Sequence, residues 1–420
     1  MSELQTDVLL NDENKTFCMM PWMHMHAFAD GRVYPCCFGE YHSHMGNLRD
    51  NTMEEVWNQD AYKTMRKKML KGLKCKECTK CYEQESNGIF SLRNSINKTH
   101  GKYVDEVKQT KEDGEHPEFN LRYWDVRFSN LCNFSCRSCS PVFSSNWYKE
   151  HVKMYGGKPK ADDGRELNVI EYAGRDKYDI LEQMEPHFEY LDQIYFAGGE
   201  PLIMEEHYKI LERLIELGKT DINIQYNTNF SEMSYKRKDV IEMWKHFSNV
   251  SVGASLDDSY ARGELIRKGQ DWQQTVDNRR RMIEEAPHVD FYVSSTVSVM
   301  NVHHVMEFHK EWTELGLIEA KDWDINVLHG PDYYRVDILP EDHKRNVLVP
   351  MIEQHLEWLR PQDSITRATI GYEGLINTIL AQDNSQLVPE FVRQIDNHDK
   401  YRDENFWTTV PELAWLKEHE

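Results

Sequence analysis

No apolar run in this sequence approaches the roughly 18 residues a membrane-spanning helix needs, so nothing in it is expected to cross a bilayer. Cationic charge is also scarce: 50 Lys and Arg stand against 71 Asp and Glu, for a net charge of −21. So few cations leave little with which to displace phosphate counterions, and a nucleic acid is not the expected partner. The first residues, MSELQTDVLLNDENK, lack the basic start and apolar stretch of a secretory signal, which places the chain in the cytoplasm as an expectation. Cysteine is missing altogether beyond residue 139. What remains is a chain of 420 residues, 40% hydrophobic and 11% aromatic, enough to bury a core and to exclude wholesale disorder. A prior of roughly 150 residues per domain predicts two or three units.

The nine cysteines are crowded into two places: six between Cys18 and Cys81, three between Cys132 and Cys139. Reducing compartments rarely keep structural disulfides, and an odd count leaves one thiol over. Short spacings in two clusters point to metal or cluster sites.

The chain divides by pattern. Residues 1–16 read as a loose leader. Residues 17–97 are short-element, turn-rich and cysteine-bearing, with an Asp30-Gly31 turn and a helix expected over Thr52–Leu70. Residues 98–119 are charged and poor in apolar side chains, and read as a linker. From 120 to 335 strands and helices alternate. Strand runs are expected at Tyr123–Phe128, Gln193–Ala197, Ile222–Tyr226, Val250–Leu256, Phe291–Val299 and Trp323–Val327, with helices such as Glu205–Leu217 and Lys238–Phe247 between. Six βα units predict an α/β class and a partial (βα)6 TIM-type barrel. Residues 336–420 carry helical stretches at Val347–Leu359, Thr369–Ala381 and Pro389–Asp396, a C-terminal helical extension.

Cys132, Cys136 and Cys139 follow the first barrel strand, at the end where parallel sheets place active sites. Three thiolates within eight residues can wrap one inorganic group without completing a four-sulfur cage. A four-iron cube held this way keeps one iron open, whereas four cysteines close it. Zinc with a fourth ligand elsewhere is the other reading of such a loop. Further along, Gly198-Gly199-Glu200-Pro201 ends the second strand, with paired glycines that let backbone approach a ligand. Asn227-Thr228-Asn229 ends the third strand and Ser255-Leu256-Asp257 the fourth. Arg267 lies just beyond, and Asn301 follows the fifth.

The C-x3-C-x2-C spacing together with GGEP after the next strand resembles the radical S-adenosylmethionine superfamily. The resemblance implies a [4Fe-4S] cluster on Cys132, Cys136 and Cys139. There the open iron chelates S-adenosylmethionine, reductive cleavage yields a 5′-deoxyadenosyl radical, and that radical abstracts hydrogen from a substrate. It also implies cofactor contacts from Gly198, Gly199, Glu200, Pro201, Asn227, Ser255, Asp257 and Arg267, and an electron donor of flavodoxin or ferredoxin type. One position departs: the residue before the third cysteine, commonly aromatic in the family, is Ser138.

Residues 17–97 add Cys18-Met-Met-Pro21-Trp22, Asp30-Gly31-Arg-Val-Tyr-Pro35-Cys36, Gly46-Asn47, Trp57 and Cys78-x2-Cys81. This order resembles the SPASM/twitch auxiliary-cluster domain, which in most such enzymes follows the barrel and here precedes it. Four ligands are expected from the resemblance, Cys18, Cys36, Cys78 and Cys81, with Cys37 and Cys75 as spares or replacement ligands. A four-sulfur zinc site remains open, since sulfur ligands suit either metal. His24, His26, His42 and His44 lie nearby, read as packing or surface residues with replacement of a thiolate as the alternative. The substrate class the resemblance implies is a peptide or protein side chain. The alternatives are a small metabolite and a non-enzymatic electron-transfer or zinc-stabilised interaction protein. Asp257, Tyr260 and Asp324 are expected near the barrel interior, and no catalytic acid, base or radical-quenching residue is assigned.

Overall fold

The computed structural model describes residues 9–11, 14–86, 90–161, 163–174 and 179–419. Of the expected leader, residues 1–8 and 12–13 lie outside these. The chain forms two compact units. The first comprises Met1–Asn130, Ile170–Gly198 and Ile222–Ile224; the second comprises Leu131–Val169, Gly199–Asp221 and Gln225–Glu420.

In the first unit three short strands come first, β1 (His24–Ala27), β2 (Arg32–Tyr34) and β3 (Gly46–Asn47), antiparallel in the order β1-β2-β3. The Asp30-Gly31 turn joins β1 to β2. Gly31 sits at φ +88°, where a Cβ would lie 2.5 Å from Asn47 Oδ1, so only glycine fits. The expected helix over Thr52–Leu70 is two helices, Met53–Trp57 and Asp60–Leu70. Thr52 and Glu55 close a capping box on the first, and the chain leaves helical geometry at Asn58 and Gln59 before restarting. The restart lets Asn58 Nδ2 donate to His116 O at 2.9 Å, an anchor an uninterrupted helix would turn away. Within the stretch expected to be a linker, Gly101–Gln109 forms 3-10 turns that bury Val107.

Strand β4 (Tyr123–Val126) pairs parallel with β1 on its one side and with β5 (Gln193–Phe196) on the other, His26 opposite Asp125 and Trp124 opposite Ile194. Alternation sets the faces. Trp124 packs edge-on against Phe188 at 4.8 Å, with Ile194 and Phe196 buried on β5, while Tyr123 and Asp125 take the other face. Strand β6 (Asn223–Thr228) opens in this unit, where Asn223 N donates to Asp192 O at 2.9 Å, and continues in the second.

In the second unit a small hairpin of β7 (Ser234–Tyr235) and β8 (Lys238–Asp239) precedes β9 (Asn249–Ala254), β10 (Asp290–Val297) and β11 (Trp323–Val327). Strand β10 lies between β9 and β11, parallel to both. The helix expected over Lys238–Phe247 is shorter, Val240–Trp244, because β8 takes up Lys238 and Asp239 and the Asp239 side chain then caps the helix on Glu242 N at 3.2 Å. Helix Glu205–Glu216 buries Tyr208, Ile210, Leu211 and Leu214 on one stripe. The C-terminal helices are Val349–Leu359, Arg367–Ala381 and Val388–Arg402, the last running six residues past its expected end. The fold class is α/β: β4, β5, β6, β9, β10 and β11 give the strand–helix succession of a partial (βα)6 barrel, with a cysteine-rich N-terminal segment and C-terminal helices. No helix among the described residues is long and apolar enough to cross a membrane.

Candidate functional site

The three-cysteine loop belongs to the second unit and is tied down through its backbone. Ser135 N donates to Lys268 O and Arg137 N to Ile266 O, both at 2.8 Å, and Cys139 N closes a turn on Cys136 O at 3.0 Å. Trp147 Nε1 donates to Cys136 O at 2.8 Å, Ser145 Oγ accepts from Cys132 N at 3.2 Å, and Ser144 Oγ donates to Phe134 O at 2.6 Å. Helix Val388–Arg402 and the turn after it add charge clamps. Arg137 Nη2 meets Asp399 and, at 2.7 Å, Glu404, and Arg402 Nη2 donates to Ser135 O at 2.6 Å. With the backbone fixed this way, the three half-buried thiols are held as a set. Burial raises all three, Cys139 to about 12; Cys132 and Cys139 also feel Cys136, and the Arg267 cation opposes the rise at Cys136 and Cys139.

That cation is positioned. Arg267 Nη2 donates to Asp257 Oδ1 at 2.7 Å, and the same oxygen accepts from Thr296 N at 2.8 Å. Asn301 completes the support, with Nδ2 donating to Asp257 O at 2.7 Å and Oδ1 accepting from Ser298 N at 2.8 Å. Burial works against the charge on Arg267, and Asp257, Cys136 and Cys139 outweigh it, holding the guanidinium above its ordinary value. Asp257 Oδ1 and the Asn301 amide are thus engaged in holding Arg267 and its support.

Glu200 is 1% exposed. Its Oε1 accepts from Thr228 Oγ1 at 2.7 Å and from Leu202 N at 3.0 Å, and its Oε2 from Asn229 N at 2.6 Å. Burial lifts its carboxyl to about 7 even so, against those three donors and Arg267. Its backbone N donates to Leu131 O at 2.8 Å, which fixes it to the start of the cysteine loop. A second link runs from Asn133 inside the loop: Oδ1 accepts from Asn229 Nδ2 at 2.8 Å and Nδ2 donates to Ser231 Oγ at 3.0 Å. Pro201 opens a 3-10 turn immediately after Glu200. Asn227 and Ser255 are half-buried at the ends of β6 and β9, the latter held by Ser255 N donating to Thr228 O at 2.7 Å. Gly198 belongs to the first unit; at φ +83° a Cβ there would lie 2.7 Å from Arg127 Cδ.

The structure thus gathers Cys132, Cys136, Cys139, Glu200, Asp257 and Arg267 in one unit. Thr228, Asn229 and Asn133 were not assigned from sequence, although all three stand inside the motifs that were. Their signal was position alone, one or two residues from Asn227 and one from Cys132. Tyr260 lies elsewhere: it is 56% exposed and its hydroxyl bonds Glu311. Asp324 is half-buried on β11, its carboxyl raised by burial.

The first unit holds a separate sulfur site. Cys18, Cys36, Cys78 and Cys81 line one pocket, walled by Met20, Pro21, Met65, Met69 and Leu92. Asn97 fixes the chain beside Cys18, accepting from Met19 N at 3.0 Å. Burial raises Cys18 to about 12 and lifts the other three thiols as well, and Cys78 feels Cys18, Cys36, Cys75 and Cys81 together. Cys75 opens onto a different pocket with Lys74, Lys76 and Tyr82, and Cys37 is outside both. Among the described residues no three His, Cys, Asp or Glu side chains converge as ligands of one metal ion; the four sulfurs are spread around their pocket. Four sulfurs in a mostly apolar pocket, with Glu77 and Arg93 as its charged lining, fit an iron–sulfur cluster, whose ligands are thiolates.

Residues 18–82 match the family model of SPASM, an iron–sulfur cluster-binding domain. No curated protein matches the chain. Among solved structures, hexahistidine-tagged anSMEcpe with bound AdoMet is 20% identical at a TM-score of 0.38, covering 57% of this chain and 60% of its own. Native anSMEcpe with bound AdoMet and the Kp18Cys peptide is 19% identical at 0.39, covering 61% and 65%. SuiB of Streptococcus suis bound to the precursor peptide SuiA is 12% identical at 0.35, covering 80% and 64%. The chain spans about 60% of the length of the first of these structures. Identities and TM-scores this low mark partial likenesses, on which no functional statement rests.

Proposed function

We propose that the chain is a radical S-adenosylmethionine enzyme with an auxiliary iron–sulfur cluster in its SPASM domain, acting on a peptide or protein side chain. The supporting observation is the single constellation in the second unit: three thiols on one backbone-clamped loop, a buried carboxylate tied to that loop, and a cation facing two of the thiols. Cys132, Cys136 and Cys139 would hold a four-iron cube with one open iron. Bound there with S-adenosylmethionine, the cube supplies one-electron cleavage of the cofactor's carbon–sulfur bond and a 5′-deoxyadenosyl radical that takes hydrogen from substrate.

The protein's own part is placement. Glu200 accepts the ammonium of the cofactor's methionyl group through lone pairs its three donors leave free. Arg267, braced by Asp257, presents its guanidinium to an adjacent carboxylate. Asn227 and Ser255 receive hydroxyls, and Gly198, Gly199 and Pro201 shape the turn. Cys18, Cys36, Cys78 and Cys81 hold the auxiliary cluster, and electrons arrive from a flavodoxin- or ferredoxin-type donor. The division into 1–97, 98–119, 120–335 and 336–420 forms part of this reading.

The test is product analysis. Anaerobically reconstituted protein reduced with dithionite should release 5′-deoxyadenosine and methionine. The Cys132→Ala/Cys136→Ala/Cys139→Ala protein should release neither while keeping its auxiliary iron. Intact S-adenosylmethionine in the wild type would refute the proposal.

A further inference from the structure

One face of the β1-β4-β5 sheet carries more polar side chains than packing needs. Registry places His24 opposite Tyr123 and His26 opposite Asp125, and the period of two carries the row on to Arg127. All of these, with Cys37, Tyr195 and Gly198, belong to the first unit. Asp125 is fully buried between two neighbours: His26 Nδ1 at 3.0 Å from Oδ2 and Arg127 Nε at 2.9 Å from Oδ1. Burial tends to raise its carboxyl, and Arg127 and His26 outweigh that and hold it low, so it is an anion.

Arg127 is fixed along its whole length. Its stem lies under Gly198, where no Cβ fits, and its guanidinium stacks 4.9 Å from the centre of the Tyr195 ring. Only Nε is engaged. Among the described residues the two terminal nitrogens have no hydrogen-bond acceptor, and unlike Nε they are not sealed from solvent. The side chain as a whole is only 12% exposed. A guanidinium this enclosed, oriented by a buried carboxylate and keeping a two-nitrogen fork open, is built to receive a planar anion. Cys37 stands beside it, exposed as a residue but with its thiol turned inward, where burial lifts it well above its ordinary value and the Asp125 charge adds to the rise. Around it the imidazoles of His24 and His26 turn Nδ1 to the carbonyls of Tyr123 and Asp125, which can only accept, so each Nε2 is left as an acceptor with no partner among the described residues.

We infer that Arg127 is the binding residue for a carboxylate on the substrate, with Asp125 and Tyr195 as its positioning residues and Cys37 at the rim of the site. This rests on the function proposed above only in taking the bearer of the carboxylate to be a peptide. The contact is a charge-assisted, bidentate one, and no bond is made or broken in it.

The experiment measures binding, not turnover. Reconstituted holoprotein is titrated calorimetrically with the capped pentapeptide acetyl-Ala-Ala-Glu-Ala-Ala-amide, with its Gln counterpart, and with glutarate. N-ethylmaleimide labelling of Cys37, read by peptide mass spectrometry, locates the site. The acidic peptide should bind at least tenfold tighter than the neutral one and slow labelling of Cys37. Arg127→Gln should erase the preference and Arg127→Lys should keep part of it, with iron content checking that both variants fold. Equal binding of the two peptides, no binding of either acidic probe, or an unchanged preference in Arg127→Gln overturns the inference. Glutarate binding as tightly as the peptide sustains the carboxylate site and overturns the peptide as its bearer. Failure of cofactor cleavage, by contrast, would leave this measurement untouched.

Discussion

Asp257 Oδ1 accepts a hydrogen bond from Arg267 at 2.7 Å, and the guanidinium it holds is the cation whose charge opposes the rise at Cys136 and Cys139. Both side chains are nearly buried, at 2% and 11% exposure. Breaking such a pair from one side strands a charge, which costs about 3–5 kcal/mol. Asp257→Ala should therefore destabilise the protein by that order in urea unfolding and weaken S-adenosylmethionine binding by tenfold or more. Asp257→Asn, which keeps an acceptor for Thr296 N, should fold better than Ala and still bind cofactor poorly. A cofactor affinity unchanged in both would show that Arg267 is not the group Asp257 is needed for.

Glu200 makes a prediction with a sign. Its carboxyl stands near 7 in the fold against an ordinary value near 4.5, so between those limits the folded chain holds a proton the unfolded chain has lost. Stability attributable to this group falls as pH rises from about 4.5 to 7, by on the order of 3 kcal/mol in total. The cluster-free protein should lose stability over that window, and Glu200→Gln should lose measurably less. Parallel pH profiles for the two proteins would contradict it.

The nine cysteines are expected to divide cleanly. Cys78→Ser/Cys81→Ser should lower iron by about four atoms per chain, one cube's worth. Cys37→Ser and Cys75→Ser should leave iron and sulfide unchanged, because neither thiol lines the four-sulfur pocket. Loss of iron in Cys75→Ser would move that residue into the ligand set.

Gly198→Ala tests the turn. The residue sits at φ +83°, and a Cβ would press on the Arg127 stem at 2.7 Å. A left-handed conformation alone costs a non-glycine residue about 1–2 kcal/mol, and the clash adds to it. Thermal unfolding should show a loss of at least that order. Arg127→Ala in the same background should recover part of it by removing the obstructing stem.

Much of the fold was legible because periodicity survives in isolation. The strand expected at Trp323–Val327 is β11 to the residue, and the other five βα strands lie within two residues of expectation at each end. What was not legible depends on distant partners. The break at Asn58 and Gln59 answers to His116, far along the chain, so the helical period of Thr52–Leu70 gave no warning. Asp257 stands out in the sequence because it ends a strand; that its Oδ1 is held by Arg267 and Thr296 N depends on the next strand. Arg127 sits in the period of an ordinary strand, and only the unfilled fork of its guanidinium distinguishes it. The cysteine spacings were informative because ligands of one group must be close in space, and short loops make them close in sequence too.

The most direct test of the central claim is the electron paramagnetic resonance spectrum of the dithionite-reduced protein, recorded before and after S-adenosylmethionine is added. Two cluster signals are expected, one of which shifts on addition and is absent from the Cys132→Ala/Cys136→Ala/Cys139→Ala protein. Two signals that both ignore S-adenosylmethionine, or a shifting signal that survives loss of those three thiols, would contradict the account.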